Sequence, residues 1–314
     1  MVCCPVSKSP VMIARMFESN TLFRLVCRPA LPKDTREVME LTRTIWEGED
    51  YVPQVWLEWL SDPLGLLAIA ELGGQVVGLG KLSQLSPVDW WLEGLRVHPK
   101  HEGHGIASHL HNYLLRFWLK HGNGTIRLVT ASFRLPIHRI CEHAGFQKLV
   151  ELTPFLAPMI ELDTGEQKAI QFNGVNTNQI GQVSSFVAAS PTHSWTAGLM
   201  DLGWQWVAPS LENIRQAVDR KQVYWWRNQR GVIVISEDDE RPLRTTIIRM
   251  IACRKEDMVE LLQDYRRFAG QLGFLQAGWI APLQPEIESK LQQAGFQRDW
   301  DASLYLFEKK HLDS

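Results

Sequence analysis

The sequence predicts an α/β protein: a mixed central sheet flanked by helices, built in tandem with a second unit of the same kind. Three observations carry this prediction. The strand-like run from Trp90 to Val97 passes through His98-Pro99 and the loop Glu102-Gly103-His104-Gly105 into an amphipathic helix that begins near Ile106. The runs Leu66 to Glu71 and Gln75 to Leu82 flank Gly73-Gly74, a hairpin signal. Finally, Ala144-Gly145-Phe146-Gln147 recurs 150 residues later as Ala294-Gly295-Phe296-Gln297, where a duplicated unit would repeat the end of a helix.

In chain order, residues 1–22 read as a tail. Phe23 to Arg28 alternates as a first strand, and Pro29 to Lys33 turns. Asp34 is placed to cap a helix whose apolar positions are Val38, Leu41 and Ile45. A loop from Glu47 to Pro53 leads to a short helix around Val55 to Leu60. After the hairpin and the central strand, Ile106, Leu110, Leu114 and Phe117 form one apolar helix face. Thr125 to Thr130 is a strand and Leu135 to Ala144 a helix; one strand starts near Lys148 and another spans Phe155 to Leu162. Asp163 to Asn178 is polar and aperiodic, a linker between a first domain, 23–162, and a second, 179–310.

A length of 314 residues favours two domains over one core. The formal net charge of -2 argues against a nucleic-acid partner held through phosphates. No apolar run approaches the ~20 residues that span a bilayer, and Met1 to Asn20 contains no long apolar stretch of the signal-peptide kind. No membrane partner and a cytoplasmic location are the expectations. Cys3, Cys4, Cys27, Cys141 and Cys253 are scattered, with neither a disulfide framework nor a zinc spacing. His98, His101 and His104 cross from a strand end into a glycine loop, so no metal site is expected from them. Nothing in the pattern specifies an oligomer.

The glycine loop carries the chemistry. Glycines let several N–H groups gather on one side, and the helix behind adds the positive end of its dipole, which suits a diphosphate. Gly103, His104, Gly105, Ile106 and Ala107 would form that cradle. Together with Leu92-Glu93-Gly94-Leu95-Arg96-Val97-His98-Pro99 before it and Gly145-Phe146 after it, this stretch resembles the GCN5-related N-acetyltransferase (GNAT) family. The resemblance implies an acyl-CoA N-acyltransferase fold, acetyl-CoA as cosubstrate, and acetyl transfer directly to a primary amine. It implies that the backbone of Leu95, Arg96 and Val97 holds the acetyl and pantetheine groups. Two positions depart from the family: Glu102 stands where Gln or Arg is usual, and Cys141 where Tyr usually serves as acid.

Regular alternation would put Trp91, Glu93, Leu95 and Val97 on one face. Glu93, a carboxylate among large apolar neighbours, is expected to titrate high and act as the base. Cys141 is either an acid for the departing thiolate or a small core residue. Trp46, Glu49, Asp50 and Tyr51 would wall the acceptor site, acids toward a cationic amine and aromatics over it. Asp50-Tyr51-Val52-Pro53, Leu92 to Val97 and Trp206 to Asn213 are together similar to the histidine N-acetyltransferase branch of that family, which implies a free amino acid as acceptor. In the second half, Thr246 to Ile251 would be the central strand, but Arg254 to Met258 has no glycine, so this half is expected to lack a phosphate loop and to bind no CoA. Two other readings stay open: a non-catalytic acyl-CoA-binding sensor or scaffold, and acetylation of a protein N-terminus or lysine.

Overall fold

The computed structural model describes residues 25–43, 45–161 and 172–311; for Trp46 and Glu47 it describes the backbone alone. The expected tail, Cys3 and Cys4, the start of the first strand, most of the linker and the Trp46 side chain lie outside the described residues. The described residues form two compact units, 25–127 with 309–311 and 128–308.

The first unit contains β1 (Leu25–Pro29), α1 (Thr35–Thr42), α2 (Val52–Ser61), β2 (Leu66–Leu72), β3 (Gln75–Gln84), β4 (Asp89–Val97), α3 (Ile106–His121) and the first residues of β5 (Thr125–Ala131). The strand order is β1-β2-β3-β4-β5, antiparallel except for β4 with β5. Val38, Leu41, Val52, Trp56, Trp59, Leu67, Ile69 and Leu79 pack α1 and α2 onto one face. On the other, α3 lies so close to β3 that a Cβ at Gly78 or Gly80 would meet Leu110 or Leu114 at 3.0 Å. The stripe on α3 ends in Trp118, fully buried, with Phe117 only half-buried, because a four-residue step from Leu114 lands on the tryptophan. Asp34 does not cap α1. Its carboxylate accepts from Arg28 (2.7 and 2.8 Å) and from the Leu31 N–H (2.8 Å), and Arg28 holds it below the usual carboxylate range.

The second unit contains α4 (Leu135–His143), β6 (Gln147–Pro158), β7 (Phe172–Gly174), α5 (Ile180–Ala189), β8 (Met200–Asp201), β9 (Trp206–Val207), α6 (Leu211–Asp219), β10 (Val223–Trp226), β11 (Gly231–Asp238), β12 (Thr245–Cys253), α7 (Met258–Gln271), β13 (Gln276–Pro282), α8 (Pro285–Gln293), β14 (Gln297–Arg298) and β15 (Leu304–Lys310) to Glu308. Its sheet runs β15-β6-β13-β12-β11-β10-β7, with α7 and α8 packed in one core cluster and α5 and α6 in another.

The two strands expected after Gly145-Phe146 are one strand, β6. Pro154 lies inside it, its carbonyl accepting the Asp299 N–H on the edge away from β13. On that edge β15 pairs with Gln147 to Leu152 and β14 with Phe155 and Leu156, so Pro154 falls between two ladders and its missing N–H costs no ladder bond. The repeated Ala-Gly-Phe ends both helices identically. Ala144, Gly145 and Phe146 donate to Ile140, Glu142 and Cys141, while Ala294, Gly295 and Phe296 donate to Lys290, Gln292 and Leu291, all at 2.9–3.0 Å around a left-handed glycine. Among the described residues, no helix is long and apolar enough to cross a membrane.

Candidate active site

The central strand is not regular. Lys81 pairs with Glu93 but Leu79 pairs with Arg96, so β4 carries an extra residue around Gly94. Gly94 has φ +65°, and a Cβ there would come within 2.5 Å of the Trp59 ring, so only glycine fits. The bulge overturns the expected face. Arg96, opposite Leu79, joins Trp91 and Glu93 on the α1–α2 side. Leu95 and Val97 turn to the α3 side, with Leu95 beside Gly80 and Val97 paired with Gly78.

On the α1–α2 face, Glu93 is half-buried and its Oε1 accepts from the Ser83 hydroxyl at 2.7 Å. Lys81, 1% exposed, stands opposite Glu93 and gives its ammonium to Asp62 and to the Leu82 carbonyl. Arg96 forms a two-point pair with Asp50 (Nε–Oδ2 3.0 Å, Nη2–Oδ1 3.1 Å), with both side chains buried. Asp50 Oδ1 also accepts the Val52 N–H at 3.1 Å, which ties the start of α2 to β4. Asp50 therefore faces inward onto Arg96, whereas Glu49 is exposed. Tyr51 lies edge-on to Trp59, ring centroids 6.0 Å apart, with the Arg96 guanidinium 5.2 Å from its ring centre. Burial pushes the Tyr51 hydroxyl above its ordinary range; Glu93 and Asp50 add to this and Arg96 opposes it. Glu93, Asp50 and Tyr51 of the expected site thus come together, joined by Arg96. Ser83 and Lys81 escaped the sequence reading, because a cross-strand partner ten or twelve residues away shows only once the register is known.

The parallel ladder between β4 and β5 covers Asp89 to Trp91 and ends there, so β4 continues from Leu92 to Val97 without β5 beside it. Beyond it, Gly103 and Gly105 adopt φ +79° and +76°, and Gly105 is the N-cap of the sixteen-residue α3. Among the described residues, the N–H groups of Gly103, His104, Gly105, Ile106 and Ala107 have no backbone or side-chain acceptor, and a Cβ at Gly103 would meet nothing within 4 Å. That geometry fits a bound diphosphate. Glu102 is exposed and Lys100, His101 and His104 surround the turn. Burial, then His98, His104 and Lys100, holds His101 below its ordinary range. His98 and His104 ring nitrogens engage the turn's own backbone, and among the described residues no three His, Cys, Asp or Glu side chains gather as a metal site would need.

Cys141 belongs to the second unit, where it is fully buried on α4; burial pushes its thiol up to about 12. The second unit repeats the strand–turn–helix design without the glycines. There β12 leaves β13 after Ile248, and Arg254 to Asp257 lead directly into α7. Arg249 is the fifth residue of β12, as Glu93 is of β4.

Residues 34–146 match the acetyltransferase (GNAT) family. Over 89 residues the chain is 34% identical to histidine N-acetyltransferase of Oreochromis niloticus, an alignment covering 28% of this chain and 25% of that protein. The chain thus spans about a quarter of the length of the curated relatives it matches. A solved GCN5-related N-acetyltransferase from Sphaerobacter thermophilus shares the fold at TM-score 0.59 and 13% identity, covering 91% of this chain and 95% of that one. A tandem GNAT protein from the clavulanic acid biosynthesis pathway does so at TM-score 0.53 and 12% identity, covering 92% and 99%.

Proposed function

We propose that this protein, whose residues 34–146 match the acetyltransferase (GNAT) family, transfers acetyl from acetyl-CoA to the primary amine of a small metabolite, a free amino acid of the histidine kind. The observation that carries the reading is the row of five uncommitted N–H groups from Gly103 to Ala107 at the end of a strand that has left its neighbour. They would hold the diphosphate, and the backbone of Leu95, Arg96 and Val97 would hold the acetyl and pantetheine groups.

Glu93 would take a proton from the acceptor ammonium, directly or through one water. The freed amine nitrogen attacks the thioester carbonyl carbon, the new N–C bond forms, the C–S bond breaks, and the departing thiolate takes up the second proton that the nitrogen sheds. Tyr51 would line the acceptor site from the loop that the Asp50–Arg96 pair anchors, and exposed Glu49 would draw cations toward it. Acetyl-CoA-dependent release of thiol, measured with amino acids and polyamines, histidine first, tests the proposal. Turnover with an amino acid that falls at least tenfold in Glu93→Gln supports it. CoA binding without turnover on any acceptor supports a sensor instead, the second reading that the buried, reluctant Cys141 thiol and the Glu102 carboxylate favour.

A further inference from the structure

Glu93 sits at an irregular point of its strand, so something must fix its carboxylate. Glu93 still pairs with Lys81, but the next two residues, Gly94 and Leu95, oppose Gly80 alone, so the ladder is broken directly after it. The Ser83 hydroxyl, on β3, donates to Glu93 Oε1 at 2.7 Å in a partly buried setting. Ser83 pairs with Trp91, two residues before Glu93 on the same face, so the reach is diagonal across the strand pair. On the same face Lys81 pairs with Asp62 and Arg96 with Asp50.

The second unit repeats the device with a different side chain. Ser236 pairs with Ile247, as Ser83 pairs with Trp91, and each partner is the third residue of its central strand. Ser236 Oγ accepts from Arg249 Nε at 2.7 Å. Both halves therefore place a serine hydroxyl, able to donate or accept, against the side chain at the fifth position of the central strand. In one half it meets a carboxylate and in the other a guanidinium.

We infer that Ser83 is the positioning residue for Glu93, holding Oε1 so that the carboxylate is aimed at the acceptor ammonium. This inference rests on the reading of Glu93 as the base. Ser83 acts through Glu93 and touches neither acetyl-CoA nor the acceptor.

The test is a double-mutant cycle on the full chain, with steady-state kinetics at saturating acetyl-CoA. Ser83→Ala is expected to lower kcat about tenfold, the order of one hydrogen bond to a charged group, with KM for acetyl-CoA unchanged. Ser83→Thr is expected to restore most of that loss. In the Glu93→Gln background, Ser83→Ala is expected to cost less than about twofold more, because the two act as one unit. A tenfold loss that persists in Glu93→Gln would overturn the inference, as would wild-type kcat in Ser83→Ala. Full activity in Glu93→Gln alone would instead sink the assignment of the base. CoA affinity measured by calorimetry for Ser83→Ala confirms that the variant is folded and should match wild type.

Discussion

The turn after β4 and the turn after β12 occupy the same place in two copies of one design, yet they present opposite chemistry. Between β4 and α3, two left-handed glycines leave five N–H groups without an acceptor among the described residues at a helix N-terminus. Between β12 and α7, Asp257 sits at the helix N-cap with its carboxylate buried and bonded by Arg254 and Arg230. The end of β12 is closed as well. Thr192 Oγ1 accepts from the Cys253 N–H at 2.9 Å, Ser190 Oγ donates to the Cys253 carbonyl at 2.9 Å, and Trp195 joins the core beside them. A helix N-terminus attracts an anion whatever its source. One copy has glycine at the N-cap; the other puts an acid there, whose carboxylate bonds two arginines and not the helix N–H groups. The fifth strand position diverges in the same sense, Glu93 in one and Arg249 in the other, the latter paired at 2.6 Å with Asp201.

What the copies share can be broken first, with the largest effect. Each copy has an acid–arginine pair on its central strand: Asp50–Arg96, buried, ties the loop before α2 to β4, and Asp201–Arg249, with the acid buried and the arginine partly so, ties β8 to β12. Asp50→Ala and Asp201→Ala each remove the carboxylate partner of an arginine and should cost roughly 3–5 kcal/mol at Asp50, and less at the more exposed Asp201–Arg249 pair, in chemical denaturation. A cost near zero at Asp50 would contradict this. Next is the bulge. Gly94→Ala meets both the left-handed φ and the Trp59 ring, and should cost about 2–4 kcal/mol. A neutral outcome would mean that Trp59 yields freely.

The acid response sharpens the contrast between the turns. Burial pushes Asp257 up, but hydrogen bonds from Arg254 and Arg230 outweigh it and hold the carboxyl below its ordinary value. Its contribution is therefore present above about pH 4, the unfolded carboxylate value, and is lost as the pH falls below that. Urea melts between pH 6 and pH 3 should show wild type losing more stability than Asp257→Asn; equal losses would contradict the pairing. The smallest effect is at Cys141. A buried thiol pushed up to about 12 is a poor proton donor at neutral pH, so Cys141→Ala should change kcat by less than about twofold in thiol-release assays.

Much of this was legible in the sequence. Gly73-Gly74 marks its hairpin, Gly103 and Gly105 mark the loop, and the repeated Ala-Gly-Phe-Gln marks the duplicated helix ends, because glycine is the residue a left-handed turn demands. The lack of glycine from Arg254 to Met258 was likewise visible there. The bulge was not legible: alternation assumes a residue for a residue, and one extra at Gly94 moved Arg96 onto the face of Glu93 and Leu95 off it. Nor were the long-range partners. Asp50 reads as an acid facing the acceptor amine until Arg96, 46 residues on, is brought to it, and Gln147 to Pro158 reads as two strands until its pairing with β13, β14 and β15 shows one.

The most direct measurement of the central claim is the stoichiometry of CoA binding to the full chain by calorimetry, for wild type and for a Gly103→Val, Gly105→Val variant. One CoA per chain, abolished in the variant, is the predicted result. Two CoA per chain, or one that survives loss of both glycines, would contradict the account.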